Sequence, residues 1–395
     1  RAAFVVTPST NIRNETAQDY ASDGVTEDTT TDLSKLTSLI VVPSNAAFKY
    51  KGTDVDPETL TRDLGIRYLL EGSVRRAGDQ VRINARLIDV VAGENLWGER
   101  YDSALTNIFA LQDDIRKKIL TALRVNLTQA EKDRFAKAPT TNLEAYDFYL
   151  RAQEMSQRAR QELRPEFMTR AKELFREAIP LDPDYAAAYG AIGLTEWLTW
   201  NYAWGDDPEA AVRSSLEHFE KSRALDDSNP RILRWVVAGH YHLRQHDQAL
   251  ALAREYVERA PLDPVAHRTL ANTLMYVGKY PEAHAALATG AALGPPADFS
   301  YWLNGMVLNL LGRDEEAIAV LREAILRSPN YLTNHVILTA IYAKTGRLAE
   351  ARQQSREVLR ISPHYDVAKF ASRVVFVDES VTEGYIDALR RAGLE

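Results

Sequence analysis

Residues 298–329 read DFSYWLNGMVLNLLGRDEEAIAVLREAILRSP, and the pattern in this stretch recurs at a fixed interval through the second half of the chain. Three columns of residues share one interval and one phase: a glycine column, an alanine column, and a proline column that begins with an aspartate. Their members are Gly278, Gly312 and Gly346; Ala249, Ala283, Ala317 and Ala351; and Asp227, Pro261, Pro295, Pro329 and Pro363. A fixed period of this length is the sequence signature of a repeat architecture.

Each column has a structural reason within the quoted stretch. Gly312 follows an apolar helical pattern, and glycine readily adopts the positive φ that a tight turn after a helix requires. The acidic residues 314–316 favour the positively charged start of a second helix. Ala317 is small where two antiparallel helices approach closely, and Pro329 ends the second helix. The stretch therefore predicts one helical hairpin.

These positions resemble the tetratricopeptide repeat (TPR), which also carries an aromatic residue or histidine early in its first helix, as at His267, Tyr301 and His335. Six units are predicted, at residues 143–183, 184–227, 228–261, 262–295, 296–329 and 330–363. The first two units are longer than the others, with extra residues near 160–165 and 199–207, and we place both insertions at the hairpin turns. A helix to about Val375 and a last helix over residues 378–392, with Ser380 and Glu383 at capping-box spacing, are expected to cap the exposed end of the array.

The N-terminal part of the chain, residues 1–135, has a different periodicity. Val81, Ile83, Ala85 and Leu87 occupy every second position, which indicates a half-buried strand. This strand is predicted to pair with residues 68–75 across a turn at Gly78-Asp79. Further strands are expected at residues 3–7, 39–43 and 95–101, with helices at 24–36, 57–64 and 108–127 and a short successor starting at 128–131.

Alternating strands and helices of this kind predict a layered α/β domain. The fold class expected for the chain is an α/β N-terminal domain followed by an all-α TPR solenoid, a right-handed superhelix of helical hairpins. The domains are placed at residues 1–135 for the α/β domain, 143–363 for about six TPR units and 364–395 for the C-terminal capping helices.

The run LGIRYLLEGSVRRAGDQVRINARLIDVVAGENLWGERY, residues 64–101, resembles the TolB amino-terminal-like domain family. The likeness extends upstream through YASDGVTED at 20–28 and AFKYKG at 47–52, and downstream through residues 108–127. Chains with such a domain before TPR units are similar to the C-terminal regulatory part of bacterial class III adenylate cyclases, or of membrane-anchored winged-helix transcription regulators. The resemblance implies a regulatory or assembly role in signalling.

Composition narrows the classes of function. The chain has 395 residues and a formal net charge of −7, which argues against a general nucleic-acid surface because such surfaces use Lys and Arg to neutralise phosphates. Cysteine is absent, which excludes disulfides, thiolate catalysis and Cys-ligated zinc. No apolar run of about 18 residues occurs, so no membrane span is predicted within the chain. The resemblance implies a tether upstream of Arg1 and a bacterial, periplasmic location at the inner membrane, with the cytoplasm as the alternative.

Motifs for nucleotide, zinc or serine-hydrolase chemistry are absent, and the chain is predicted to be non-catalytic, without cofactor or metal. His240, His242 and His246 have spacing that a metal site can use, but the end of a repeat helix explains them equally. A basic set on the predicted hairpin is either an anion site or a solvated face. Its members are Arg75, Arg76, Arg82 and Arg86.

The functional surface is predicted to be the concave groove of the TPR array, which in a TPR superhelix is lined by the first helix of each unit. The expected peptide-binding residues are Arg231, Arg234 and Tyr241 in unit three, Arg268, Asn272 and Met275 in unit four, and Trp302, Met306 and Asn309 in unit five. Arginine suits bidentate recognition of a carboxylate, while Trp and Met supply adaptable apolar anchors. The alternative is that Trp302 and the methionines pack between hairpins and the arginines are ordinary surface.

Two functions from different classes stay open. The first is a regulatory or scaffold module that binds a partner protein or peptide through the groove, as the sensory part of a membrane-anchored signalling protein such as an adenylate cyclase. The second is a small-molecule sensor in the α/β domain, with its ligand near the strand ends and the TPR units serving homo-oligomerisation. A further alternative is that the chain is the sensor part of a transcription regulator.

Overall fold

The computed structural model describes residues 3–7, 19–34, 40–42, 47, 50, 56–77, 80–123, 139–205, 207–294 and 298–395. The chain forms two compact units, Arg1–Val236 and Val237–Glu395. The boundary lies within the helix Leu233–His242, so the first unit contains the sheet together with the first two helical hairpins. The sequence placed its domain boundary earlier, between residues 135 and 143.

The first unit contains a five-stranded mixed sheet with strand order β2-β1-β3-β4-β5. Its strands are β1 (Ala3–Val6), β2 (Ile40–Val41), β3 (Tyr68–Ala77), β4 (Gln80–Asp89) and β5 (Glu94–Ala104). β1 runs parallel to β2 and β3, while β3, β4 and β5 form an antiparallel meander in which Val74 lies opposite Ile83. The predicted hairpin and third antiparallel strand are confirmed, and the predicted turn residues Gly78 and Asp79 lie outside the described residues.

Three helices belong to this α/β part: α1 (Asp19–Ser34), α2 (Pro57–Leu64) and α3 (Ile108–Ala122). The core between the sheet, α1 and α3 includes Phe4, Leu33, Leu87 and Ile119, all without exposed surface. The α2 prediction is confirmed in full, whereas α1 begins at Asp19, before the predicted start at Gly24. The short helix predicted after Leu127 lies outside the described residues.

Six helical hairpins follow, one in each predicted repeat. Their helices are α4 (Leu143–Glu162) and α5 (Pro165–Leu181), α6 (Ala186–Asn201) and α7 (Pro208–Leu225), α8 (Leu233–His242) and α9 (His246–Arg259), α10 (Pro264–Tyr276) and α11 (Tyr280–Leu293), α12 (Asp298–Leu310) and α13 (Asp314–Arg327), and α14 (Leu332–Lys344) and α15 (Leu348–Ile361). The helical-repeat part of the fold prediction is therefore confirmed.

The first insertion does not lie in a hairpin turn, which corrects the prediction. Only Leu163 and Arg164 separate α4 from α5, and the extra residues lengthen these helices to 20 and 17 residues, against 13 and 14 for α12 and α13. In the second repeat, α6 and α7 are likewise longer, at 16 and 18 residues, and the other extra residues lie between these two helices. Additional helical turns satisfy their own backbone hydrogen bonds, which a longer loop would leave to solvent.

The residues of the glycine and alanine columns have the backbone conformation and the burial that the sequence predicts. Gly278, Gly312 and Gly346 have φ values of 79°, 76° and 80°, the left-handed region in which a side chain is disfavoured. In the third repeat the equivalent residue is Arg244, which adopts φ 59° despite its side chain. The four alanines of the alanine column have no exposed surface, as expected where paired helices meet.

The C-terminal helices are α16 (Val367–Arg373) and α17 (Glu379–Arg391), joined by residues 374–378. The capping box predicted at Ser380 and Glu383 is wrong, because Asp378 is the N-cap and accepts a hydrogen bond from the Ser380 amide at 3.0 Å, which places Val381 at the third helical position. α17 packs against α14, the first helix of the sixth hairpin. No helix among the described residues has the length and apolar character needed to cross a membrane.

Candidate functional site

The first helices of the fourth, fifth and sixth hairpins form a continuous surface in the second unit. α10 contacts α12, and α12 contacts α14. The C-terminal ends of these helices carry Tyr276, Asn309 and Lys344. We call the surface that these residues mark the first-helix face.

An extended stretch of the C-terminal segment, residues 374–391, lies on this face. The Val377 amide donates a hydrogen bond to the Tyr276 carbonyl oxygen at 2.9 Å. The ring of Phe376 meets the ring of Tyr276 edge to face, with centroids 5.1 Å apart, and Phe376 is 1% exposed. Val374 and Val375 are buried beside it, while Val377 faces solvent. The face therefore holds this segment of its own chain by a main-chain hydrogen bond and by burial of apolar side chains.

The helical part of the segment, α17, adds polar contacts. The Tyr385 hydroxyl is fully buried and donates to Asn309 Oδ1 at 2.7 Å. Asn309 Nδ2 donates in turn to Asp314 Oδ1 at 2.6 Å, which fixes the orientation of the amide. Lys344 Nζ lies 4.0 Å from the centre of the Tyr385 ring, a cation–π distance. One tyrosine is thus recognised by both its hydroxyl and its ring.

The rim of the face carries an ion pair and a shielded histidine. Arg244 Nη1 lies 3.2 Å from Glu379 Oε1, and both side chains are largely exposed. Burial and, to a smaller extent, the positive charge of Arg373 together lower the pKa of His242 to about 3. His242 is therefore neutral at physiological pH.

The predicted groove residues fall into several environments in the second unit. Tyr241, Met275 and Met306 are buried, and the two methionines have no exposed surface. A fully buried methionine offers no surface to a peptide, so the burial of Met275 and Met306 argues against a role as surface anchors. Asn309 does contact the C-terminal segment. Trp302 is partly exposed.

Two further predicted residues of the second unit are tied to neighbouring groups. Asn272 Nδ2 donates to the Tyr241 hydroxyl at 3.0 Å, which links the fourth repeat to the third. Arg268 is 8% exposed, so it is an interior residue and not a solvated one.

Arg231 and Arg234 belong to the first unit. Arg231 donates to Ser34 Oγ at 2.7 Å and to the Val41 carbonyl oxygen at 2.8 Å, so it joins the third repeat to the α/β part. Arg234 lies over the ring of Trp235, with 4.1 Å between the guanidinium carbon and the ring centre. Both arginines are therefore engaged within their own unit.

Sequence reasoning missed a second column of residues, each of which follows a predicted groove position by one residue along the first helix. Its members recur at the same interval as the glycine column and are His242, Tyr276, Leu310 and Lys344. Tyr276 and Lys344 contact the C-terminal segment directly. The variety of side chains in this column, beside the constant glycine and alanine columns, is the signal that could have identified it.

The first unit contains a cavity of about 270 Å³ between α1 and the first repeats. Glu27 and Asp28 of α1 line it together with Arg160 and Trp235. Burial raises the pKa of Asp28 to about 7, an effect that a hydrogen bond from the Tyr146 hydroxyl at 2.6 Å opposes. Burial also raises the pKa of Glu27. This acidic cavity differs from the site that the sequence placed near the strand ends.

The spacing of His240, His242 and His246 left a metal site open as an alternative. Within the part of the chain that the structure describes, no three His, Asp or Glu side chains converge as metal ligands would. His240 Nδ1 lies 2.5 Å from Gln245 Oε1, so this histidine is held by the hairpin turn.

Comparison with known proteins agrees with the repeat architecture. The sequence profile of the tetratricopeptide repeat family matches residues 268–331. Over 271 residues the chain is 37% identical to "Putative adenylate cyclase 3" of Rhizobium meliloti (strain 1021), a match that includes 68% of this chain and 42% of that protein. The chain therefore spans about two fifths of the length of this relative.

Solved TPR structures are similar as well. TTC0263, a thermophilic TPR protein of Thermus thermophilus, is 19% identical over 52% of this chain and 99% of its own, with a TM-score of 0.41. YrrB, described as a TPR protein with an unusual peptide-binding site, is 19% identical over 45% of this chain and 91% of its own, with a TM-score of 0.32. The family match and the helical hairpins lead to one conclusion: the chain contains tetratricopeptide repeats.

Proposed function

We propose that this chain is a non-catalytic, polypeptide-binding regulatory module, and that the first-helix face is its binding surface. The observation that carries the proposal is the hydrogen bond from the Val377 amide to the Tyr276 carbonyl oxygen, with Phe376 buried beside it. A surface that already holds extended main chain has the chemistry to hold a partner of the same kind. The C-terminal segment is then its intramolecular occupant, and a partner takes its place.

The partner's chemistry follows from the segment. Residues 374–377 are Val-Val-Phe-Val, and Asp378 and Glu379 follow. A matching partner is an extended apolar stretch with one aromatic ring, followed by acidic residues that face Arg244. Because the segment is tethered, its effective concentration is on the order of millimolar. A partner must therefore bind tightly enough to displace the segment at that concentration.

The wider role that we propose is the sensory part of a larger signalling protein of the adenylate cyclase type. The support is the 37% identity to the Rhizobium meliloti protein. The likeness of residues 64–101 to the TolB amino-terminal-like family supports the same role, and a periplasmic location belongs to the proposal. In the full-length gene product, Glu379→Arg should change the rate of cyclic-AMP synthesis, and the charge swap Arg244→Glu with Glu379→Arg should restore it. Equal rates in all three proteins would overturn this role.

Binding itself is tested with a fluorescein-labelled peptide of residues 374–393. Fluorescence anisotropy should show about tenfold or more tighter binding to the Phe376→Ala, Tyr385→Ala chain than to the wild type, because these changes weaken the internal occupant and leave the face intact. Adding Tyr276→Ala should remove that binding. A folded double variant that binds no peptide would overturn the proposal.

A milder pair of variants guards against loss of folding. Glu379→Arg alters only an exposed ion pair, so it should tighten peptide binding by about two- to fivefold. Combining it with Arg244→Glu restores opposite charges within the chain and places a negative charge opposite Glu379 of the labelled peptide, so the affinity should fall below that of the wild type. No difference among these chains would contradict competition at the face.

The second candidate function is a small-molecule sensor in the first unit, which the cavity lined by Glu27, Asp28 and Trp235 favours. Its carboxyl groups and aromatic wall suit an organic cation. A thermal-shift screen of amines tests it, since a ligand that binds only the native state raises the unfolding temperature. Loss of the shift in Asp28→Asn would support this site, and no shift with any amine would exclude it.

A further inference from the structure

β5, the strand Glu94–Ala104, forms an edge of the sheet in the first unit. It stands last in the strand order, and in the described part of the chain it pairs with β4 alone. Seven of its 11 residues are exposed. An exposed edge of this length presents N–H and C=O groups to any strand that approaches it. The edge is therefore available for pairing between chains.

Alternate residues of β5 direct their main-chain groups away from β4. The Leu70 carbonyl oxygen accepts a hydrogen bond from the Thr7 amide at 3.0 Å, so the main chain of Leu70 faces β1 and that of the next residue faces β4. Because the alternation continues across both antiparallel registers, the main chain of Tyr101 faces β4. Four residues consequently direct their N–H and C=O groups outward: Gly98, Arg100, Asp102 and Ala104.

The side chains of β5 are self-complementary about Tyr101. When two copies of a strand pair antiparallel by two-fold symmetry, each residue lies opposite one on the same face, and one central residue lies opposite itself. With Tyr101 at the centre, Arg100 of each copy lies opposite Asp102 of the other. Opposite charges in this position stabilise strand pairing, and like charges destabilise it. A centre at Glu99, Arg100 or Asp102 instead places that charged residue opposite its own copy.

Other registers of the same kind are less favourable. A centre at Gly98 places Glu94 opposite Asp102, two like charges. A centre at Trp97 requires pairing across Leu96, where the register between β4 and β5 shifts. A centre nearer the end of the strand leaves fewer residues paired. The register centred on Tyr101 is therefore the one that combines regular pairing with matched charges.

Asp102 already binds arginine within its own chain. Arg100 Nη2 lies 2.9 Å from Asp102 Oδ2, and Arg82 of β4 pairs with Asp102 Oδ1. The side chains of Arg82 and Arg100 are 41% and 58% exposed, so a second copy can reach them. Across two paired edges the charges then alternate in the order Arg82, Asp102 and the second copy's Arg100.

We propose that β5 pairs antiparallel with β5 of a second copy of this chain, with Tyr101 opposite Tyr101, and joins the two sheets into one. The outward-facing residues supply about eight main-chain hydrogen bonds. The central pair is of the type without hydrogen bonds, in which side chains approach most closely, and this suits two aromatic rings. The paired stretch is short, so the dissociation constant should be on the order of 10–100 μM. This association goes beyond polypeptide binding at the first-helix face and does not depend on it.

The test is sedimentation velocity of the full chain, at concentrations from about a tenth of that constant to about ten times it. Arg100→Asp places two carboxylates opposite each other, and Asp102→Arg places two guanidinium groups opposite each other. Each variant alone should therefore dimerise about tenfold or more weakly than the wild type. An equimolar mixture of the two variants has opposite charges at both positions and should dimerise about as tightly as the wild type. Arg170→Asp, at an exposed arginine of α5, is the matched control and should leave dimerisation unchanged.

A single cysteine tests the register. The chain has no cysteine of its own, so Tyr101→Cys introduces one thiol per copy. In the proposed register the two thiols lie directly opposite, and oxidation should give a covalent dimer on non-reducing electrophoresis. Glu99→Cys is the control on the same face, because its thiols would be roughly 13 Å apart and should cross-link far more slowly.

Three results would overturn the proposal. Monomers at every concentration would leave the edge to an extended segment of another protein. A dimer that both charge variants leave unchanged, or a mixture of the variants that does not associate, would place the contact elsewhere. Equal cross-linking of the Tyr101→Cys and Glu99→Cys chains would contradict the register.

Discussion

The Tyr385 hydroxyl donates a hydrogen bond to Asn309 Oδ1 at 2.7 Å, which joins the last helix of the chain to the first helix of the fifth repeat. Both groups belong to one compact unit. Tyr385 has no exposed surface, so its polar group requires this partner. The C-terminal segment is therefore held by specific recognition as well as by general apolar contact.

Phe376→Ala should lower the free energy of unfolding of the second unit by about 3–5 kcal/mol, because a fully buried aromatic side chain is lost against Tyr276. Val377→Ala should change it by less than about 0.5 kcal/mol, since Val377 is 57% exposed. Urea unfolding followed by circular dichroism measures both. Equal effects of the two substitutions would contradict the burial of Phe376 against Tyr276.

Gly305→Ala should destabilise the fifth hairpin by about 1–3 kcal/mol. A Cβ at this position would lie 2.7 Å from Leu321 Cγ, and Leu321 has no exposed surface. Gly384→Ala is the matched control, because nothing lies within 4 Å of its Cβ position, and it should stabilise α17 by about 0.5–1 kcal/mol. Thermal unfolding of the two variants should therefore shift in opposite directions.

Arg244 occupies a backbone position at which the other repeats have glycine, with φ 59°. In a Glu379→Gln background, where the ion pair is already lost, Arg244→Gly should raise the free energy of unfolding by about 1 kcal/mol through relief of strain. In the wild-type background the gain should be smaller by about 0.2–1 kcal/mol, the worth of the exposed pair. Chemical unfolding of the four chains gives the coupling, and zero coupling would show that the pair contributes nothing.

Asp28 should make stability depend on pH in the direction opposite to most carboxyl groups. Its pKa is raised from 3.8 to about 7, so between these values the folded chain keeps a proton that the unfolded chain releases. The free energy of unfolding therefore falls as pH rises through this window. Asp28→Asn should be more stable than the wild type by about 1–2 kcal/mol at pH 8, with the difference vanishing near pH 4. Thermal unfolding across this pH range measures it, and a constant difference would contradict the shift.

The hairpins could be predicted from the sequence because they depend on local rules. Gly312 must adopt a positive φ at the turn, and Ala317 must be small where the neighbouring helix packs. The fixed period repeats both requirements along the chain. The insertion near Arg160 was misplaced because the period reports only the number of extra residues. Two longer helices accommodate the same number of extra residues as one longer turn does.

The candidate surface was predicted only in part. Asn309 was identified from its position in the repeat, but Tyr276 and Lys344 were not. Whether Met275 or Tyr276 faces outward depends on a rotation of one residue about the helix axis, and packing against neighbouring helices decides it. That the C-terminal segment returns to Asn309 depends on a contact over 76 residues, which no periodicity encodes.

The central claim is that the first-helix face binds the C-terminal segment and a competing polypeptide in turn. The chain has no cysteine, so Arg244→Cys with Glu379→Cys allows a short bismaleimide to tether the segment at one defined place. Anisotropy of the labelled 374–393 peptide is then measured with and without the tether. This account expects peptide binding to the untethered chain and its loss, by about tenfold or more, once the tether is formed. Equal binding to the tethered and untethered chains would contradict it.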